Sequence, residues 1–118
     1  MQFAPFLNRN GVRLLLGTDM TWFAVPGFSD HDELELLVRA GLSPRDALLT
    51  GTSNVADFLG ETHNSGRIAV GENADLLLLN ANPLADIRNS RHIAGVMIGR
   101  YWIDRSGIEQ ILERLRKR

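Results

Sequence analysis

The chain has 118 residues, a formal net charge of −1, 44% hydrophobic and 23% charged residues, and no cysteine. That length suits one domain of ordinary size, and the near-neutral balance gives no drive toward nucleic acid or an anionic membrane. Disulfides and thiolate metal ligands are excluded, which leaves the compartment open with the cytoplasm as the default.

The N-terminal stretch MQFAPFLNRNG lacks a basic-then-apolar leader pattern. No apolar run reaches the ~20 residues of a membrane helix. A compact chain of this size would bury roughly two-thirds of its unfolded surface. Val12 to Leu16 is a short, mostly apolar run between Gly11 and Gly17, followed by Thr18-Asp19. It reads as a strand of a buried parallel sheet. A polar pair at the C-terminal end of such a strand is where α/β folds place their chemistry. By spacing alone, Asp19 either belongs to a site or merely opens a loop. In the loop that follows, Trp22, Phe23 and Phe28 either line a substrate pocket or pack the loop down.

Three helices come next. Asp30 with Glu33 approximates a capping box, Leu34, Leu37 and Val38 keep helical spacing, and Gly41 is placed to end the first. Ser43 caps the second, with Pro44 at its first position and Asp46 at its positive end. Thr52 or Ser53 caps a third that runs through Val55, Phe58 and Leu59 to Gly60.

The stretch GRIAVGENADLLLLNANP, Gly66 to Pro83, reads as a hairpin of two apolar strands around Gly71-Glu72-Asn73. Four consecutive leucines, Leu76 to Leu79, do not alternate with polar residues, so both faces of that strand should be covered. Asn82-Pro83 turns the chain. Leu84 to His92 reads as a connection. Ile93 to Ile98 and Tyr101 to Asp104 read as strands joined by Gly99-Arg100, a type II′ pattern with glycine first. Ser106 and Glu109 form an S-x-x-E box for a last helix, with Ile108, Ile111, Leu112 and Leu115 as its apolar stripe. Its basic end, Arg114 to Arg118, suits a solvated helix C-terminus.

Four pieces carry a resemblance: GVRLLLGTD, ELELLVRAGLSPRDALLTGTSNVADFLG, GRIAVGENADLLLLNANPLADI and VMIG. In this order and spacing they resemble the C-terminal end of the metal-dependent amidohydrolase superfamily, in the branch with imidazolonepropionase-like and prolidase-like enzymes. The likeness runs from Gly11 to Gly99, about three-quarters of the chain. It implies an α/β fold that is a fragment of the whole: the last β/α unit of a (β/α)8 barrel plus the C-terminal part of a composite β-sandwich. Residues 1–60 would supply the terminal strand and closing helices. Residues 61–118 would supply the sandwich segment and C-terminal helix.

The resemblance also implies hydrolysis of carbon–nitrogen bonds, of non-peptide or cyclic amide type, by metal-activated water. A metal lowers the pKa of bound water, and a neighbouring carboxylate can take its proton and return it to a leaving nitrogen. Asp19 matches the family's aspartate for both roles, metal ligand and proton shuttle. The metal of the full-length family is divalent, with zinc the first choice, and none is expected on this chain alone. The family's other ligands, a His-x-His pair, a lysine or glutamate and two later histidines, have no counterpart here. His31, His63 and His92 lie far apart in sequence and correspond to no family ligand. Two readings stay open: part of a hydrolase completed by an N-terminal amidohydrolase segment, or an inactive remnant acting only by association. Either way, a homo-oligomer or a complementing chain is the expected partner, with no nucleic acid and no membrane.

Overall fold

The computed structural model describes residues 3–19, 25 and 27–117. In order these form helix α1 (Phe3–Arg9), helices α2 (Ser29–Arg39), α3 (Pro44–Thr50) and α4 (Ser53–Leu59), strand β1 (Leu76–Leu79), a 3-10 helix (Ile87–Arg91), strands β2 (Ile93–Ile98) and β3 (Tyr101–Asp104), and helix α5 (Arg105–Arg116). No helix among the described residues is long and apolar enough to cross a membrane.

The helical half follows local chemistry closely. Ser43 caps α3 by accepting the Asp46 N–H at 3.1 Å, with Pro44 at the first helical position, where a missing N–H has no consequence. Gly41, at φ +105°, ends α2, and the Leu42 N–H returns to the Leu37 carbonyl at 3.1 Å. Gly60, at φ +75°, ends α4 in the same left-handed way. The expected Asp30/Glu33 box does not form: Phe28 occupies the N-cap position of α2 with no side-chain cap. Helix α1, with Pro5 in its first turn, carried no sequence signal, because proline is tolerated there and punctuates elsewhere.

Leu34, Ala47 and Ile87 form the core, and Leu16, Leu37, Val38 and Leu48 pack around it. Ile87 belongs to the 3-10 helix, where the sequence suggested only a connection. It carries the second half of the chain back onto α2 and α3. Arg91 fixes this junction by pairing with Asp32 at 2.6 Å and Glu35 at 3.0 Å.

The three strands form one antiparallel sheet in the order β1-β2-β3. Gly99, at φ +58°, is followed by Arg100, and Asp19 is the only non-glycine with positive φ among the described residues. That sign pattern is the expected type II′ turn. Asp75 closes it by accepting the Gly99 N–H at 3.0 Å.

Three expectations for this half need correction. Gly66 to Val70 is not a strand: Ile68 and Val70 are 90% and 108% exposed, and no described strand pairs with them. The leucine run is not buried. Leu77 and Leu78 are both 55% exposed, because β1 is an edge strand of a small sheet and lacks a second layer. Helix α5 is capped by Asp104, whose carboxylate accepts the Gly107 N–H at 2.8 Å, and not by Ser106. Strand β3 ends at Asp104 in extended geometry, so the helix begins before the expected box. Glu109 pairs with Arg105 instead, at 2.9 Å.

The chain exposes 8769 Å², against about 6,400 Å² for a compact monomer of this mass. Its radius of gyration is 15.4 Å, where a compact domain of this length would have about 13.5 Å. The burial of two-thirds expected for a compact chain is not reached.

Candidate functional site around Asp19

Residues 12–19 carry no regular secondary structure. The expected strand Val12–Leu16 is therefore corrected: among the described residues the run has no neighbouring strand to form a ladder with. Val12 is exposed, but from Arg13 onward the side chains still alternate as a strand's would. Leu14, Leu16 and Thr18 are half-buried, whereas Arg13, Leu15, Gly17 and Asp19 are exposed. One face lies on the helices, and the face bearing Asp19 is open.

Three tethers from three helices hold the run. Asn54 of α4 donates its side-chain amide to the Leu14 carbonyl at 2.9 Å. The Leu16 N–H donates to the Thr50 carbonyl of α3 at 2.9 Å. The Gly17 N–H donates to Oε1 of Glu33 on α2 at 3.1 Å. Thr50 is buried, and its hydroxyl returns to the Ala47 carbonyl at 2.6 Å, which fixes the end of α3 that receives Leu16. A fourth tie is ionic: Asp57 of α4 accepts from Arg13 and from Arg67, each at 2.8 Å. The same carboxylate thus binds the run and the loop after α4. In that loop Gly66, at φ +82°, lies so close to α4 that a Cβ would stand 2.8 Å from the Ala56 Cβ.

Asp19 ends the run, exposed, at φ +43°. Aspartate enters the left-handed region more readily than most residues, and non-glycine residues held there cluster at functional sites. Trp22 and Phe23, the expected substrate-lining residues, lie outside the described residues.

The histidines do not converge on Asp19. His31 turns to the other side of α2, its Nδ1 3.0 Å from the Ser90 Oγ. Its pKa is lowered from the ordinary 6.5, first by burial and then by the Arg91 charge, against the opposing pull of Asp30, Asp32 and Glu35. His63 and His92 are exposed. Among the described residues no three His, Cys, Asp or Glu side chains gather where they could hold a metal ion. A zinc site takes three or four protein ligands, so the described residues do not make one. Asp19 alone offers one carboxylate that can accept a proton or one bond from a cation. The tethering roles of Glu33, Asn54 and Asp57 were not legible beforehand, because side-chain bonds to distant parts of the chain leave no periodic signal.

The family described as the amidohydrolase family matches residues 1–107. Imidazolonepropionase of Deinococcus deserti is 37% identical over 78 residues, covering 65% of this chain and 19% of that protein. Ochratoxinase of Aspergillus niger is 35% identical over 80 residues, covering 66% of this chain and 16% of that one. Among solved structures, a prolidase-like protein of Bifidobacterium longum superposes with a TM-score of 0.77 at 37% identity, covering 94% of this chain and 29% of that one. The chain thus spans under a fifth of the length of these curated relatives.

Proposed function

The chain belongs to the amidohydrolase family, and we propose that it is the C-terminal part of a metal-dependent amidohydrolase that hydrolyses carbon–nitrogen bonds of non-peptide or cyclic amides. On this reading residues 12–16 are the eighth strand of a (β/α)8 barrel, residues 1–60 that strand with its closing helices, and residues 61–118 a segment of the composite sandwich. The observation that carries the reading is the run itself. One face is packed on α3 and α4, the opposite face is open, and Asp19 stands at its end. In support, the sheet leaves Leu77 on one face and Leu78 on the other largely uncovered, as a layer awaiting its partner would.

Asp19 then contributes one carboxylate to a divalent-metal centre, zinc by first choice, whose other ligands lie outside this chain. A carboxylate so placed can also take and return a proton during amide cleavage. The complementing partner is an N-terminal amidohydrolase segment that carries a His-x-His pair. Imidazolonepropionase and ochratoxinase, named above as relatives, suggest imidazolone propionate and ochratoxin as the first substrates to try.

The test is reconstitution. The chain is co-expressed with such a segment, ending before the eighth strand, and the mixture is assayed with added zinc on a panel of amides. Hydrolysis by the mixture, its loss on Asp19→Asn and none by the chain alone is the expected result. A complex that forms but hydrolyses nothing on the panel, with Asp19→Asn changing neither assembly nor zinc uptake, would leave the association-only remnant as the better reading.

A further inference from the structure

The sequence offered Glu33 as half of a helix cap, but the fold uses it differently. Glu33 does not turn back to the N-terminus of α2. Its Oε1 accepts the Gly17 N–H at 3.1 Å, across sixteen residues. Among the described residues, Gly17 is the last of the run to be tethered. Thr18 follows, half-buried, and then Asp19 with its left-handed backbone. The other tethers act farther back, at Leu14 and Leu16. Among the described residues, Glu33 is therefore the side chain bonded to the backbone nearest to Asp19.

We infer that Glu33 is a positioning residue: its carboxylate holds the Gly17 amide and so fixes the turn that presents Asp19. Asp19 is alone among described non-glycine residues in its positive φ, and a non-glycine residue persists there where its surroundings hold it. A charged acceptor makes a stronger bond than a neutral one, which suits a tether that must hold an unfavourable conformation. The inference rests on reading Asp19 as the reactive-end carboxylate. The contact and its effect on Asp19 can nevertheless be measured without metal or turnover.

The experiment is NMR on the full chain and two variants, Glu33→Gln and Glu33→Ala. Positive φ brings an amide proton close to its own α-proton, so Asp19 should give a strong intraresidue cross-peak between them in the parent. The Gly17 amide should be protected from solvent exchange. Glu33→Gln keeps an acceptor and should retain both signals. Glu33→Ala should speed Gly17 exchange by about tenfold or more and weaken the Asp19 cross-peak, while signals of the Leu34–Ala47–Ile87 core stay in place. An Asp19 cross-peak unchanged in Glu33→Ala overturns the inference, as does a Gly17 amide already unprotected in the parent. Should Glu33→Ala fail to fold, Glu33→Leu, which keeps the bulk but has no acceptor, decides: Gly17 protection and the Asp19 cross-peak both unchanged there, with the core intact, overturn the inference. None of these outcomes depends on hydrolysis, so a failed reconstitution and a failed positioning role remain separate results.

Discussion

The side-chain amide of Asn54 donates to the main-chain carbonyl of Leu14 across 2.9 Å and forty residues of sequence. Helix α4 thereby holds the Asp19-bearing run by its backbone. Asn54 also lies in the first turn of α4, which allows two roles to be told apart. Asn54→Asp favours the helix end electrostatically but removes the donor to Leu14. The account predicts that Asn54→Asp and Asn54→Ala both destabilise, by about 1–2 kcal/mol, or roughly 4–8 °C in melting temperature. A gain in stability for Asn54→Asp would assign the residue to its helix alone.

His31 should make stability pH-dependent. Its folded pKa lies below the ordinary 6.5, chiefly through burial and then through Arg91, so the unfolded chain binds the proton more readily. Stability should be fully present above about pH 6.5 and fall as the pH drops below that value, levelling off once the folded state is protonated too. Asp30, Asp32 and Glu35 face the same ring and limit the effect. His31→Gln, which keeps a partner for Ser90, should flatten the melting temperature between pH 7 and 5. An equally steep decline in the variant would assign it to other groups.

What the sequence made legible was mostly what neighbours in the chain decide. Ser43-Pro44 caps α3, Gly41 and Gly60 end their helices, and Gly99-Arg100 turns β2 into β3, each by local sterics and hydrogen bonding. What depends on distant partners was read less well. Residues 13–19 keep a strand's alternation without a ladder among the described residues, and Ile68 and Val70 form no strand at all. The leucine run promised two covered faces but occupies a sheet edge. Asp104 took the cap expected of Ser106 because β3 delivers it there first. At the candidate site, the sequence singled out Asp19 from its place after an apolar run. Glu33, Asn54 and Asp57 were not, since their partners lie 16, 40 and 44 residues away.

The uncovered surface leads to a prediction about association. Leu77 and Ile98 on one face of the sheet, and Leu78 and Trp102 on the other, are all about half exposed or more. Exposed apolar strands of this kind are adhesive. Light scattering at tens of micromolar should give a mass above the 13.1 kDa of one chain, and Leu78→Asp with Trp102→Ser should lower it. Because Leu78 is already 55% exposed, these changes should cost less stability than charges placed in a closed core. A compact 13.1 kDa species for the unaltered chain at that concentration would contradict this.

The central claim is that Asp19 is one contributor to a reactive centre that other residues complete. Elemental analysis of the purified chain, after equilibration with zinc and removal of loosely held ions, tests it most directly. A lone carboxylate cannot supply the three or four ligands of a zinc site, so the account predicts far less than one zinc per chain and no change on Asp19→Ala. About one zinc per chain, lost on Asp19→Ala, would show that this chain carries a complete site and would contradict the account.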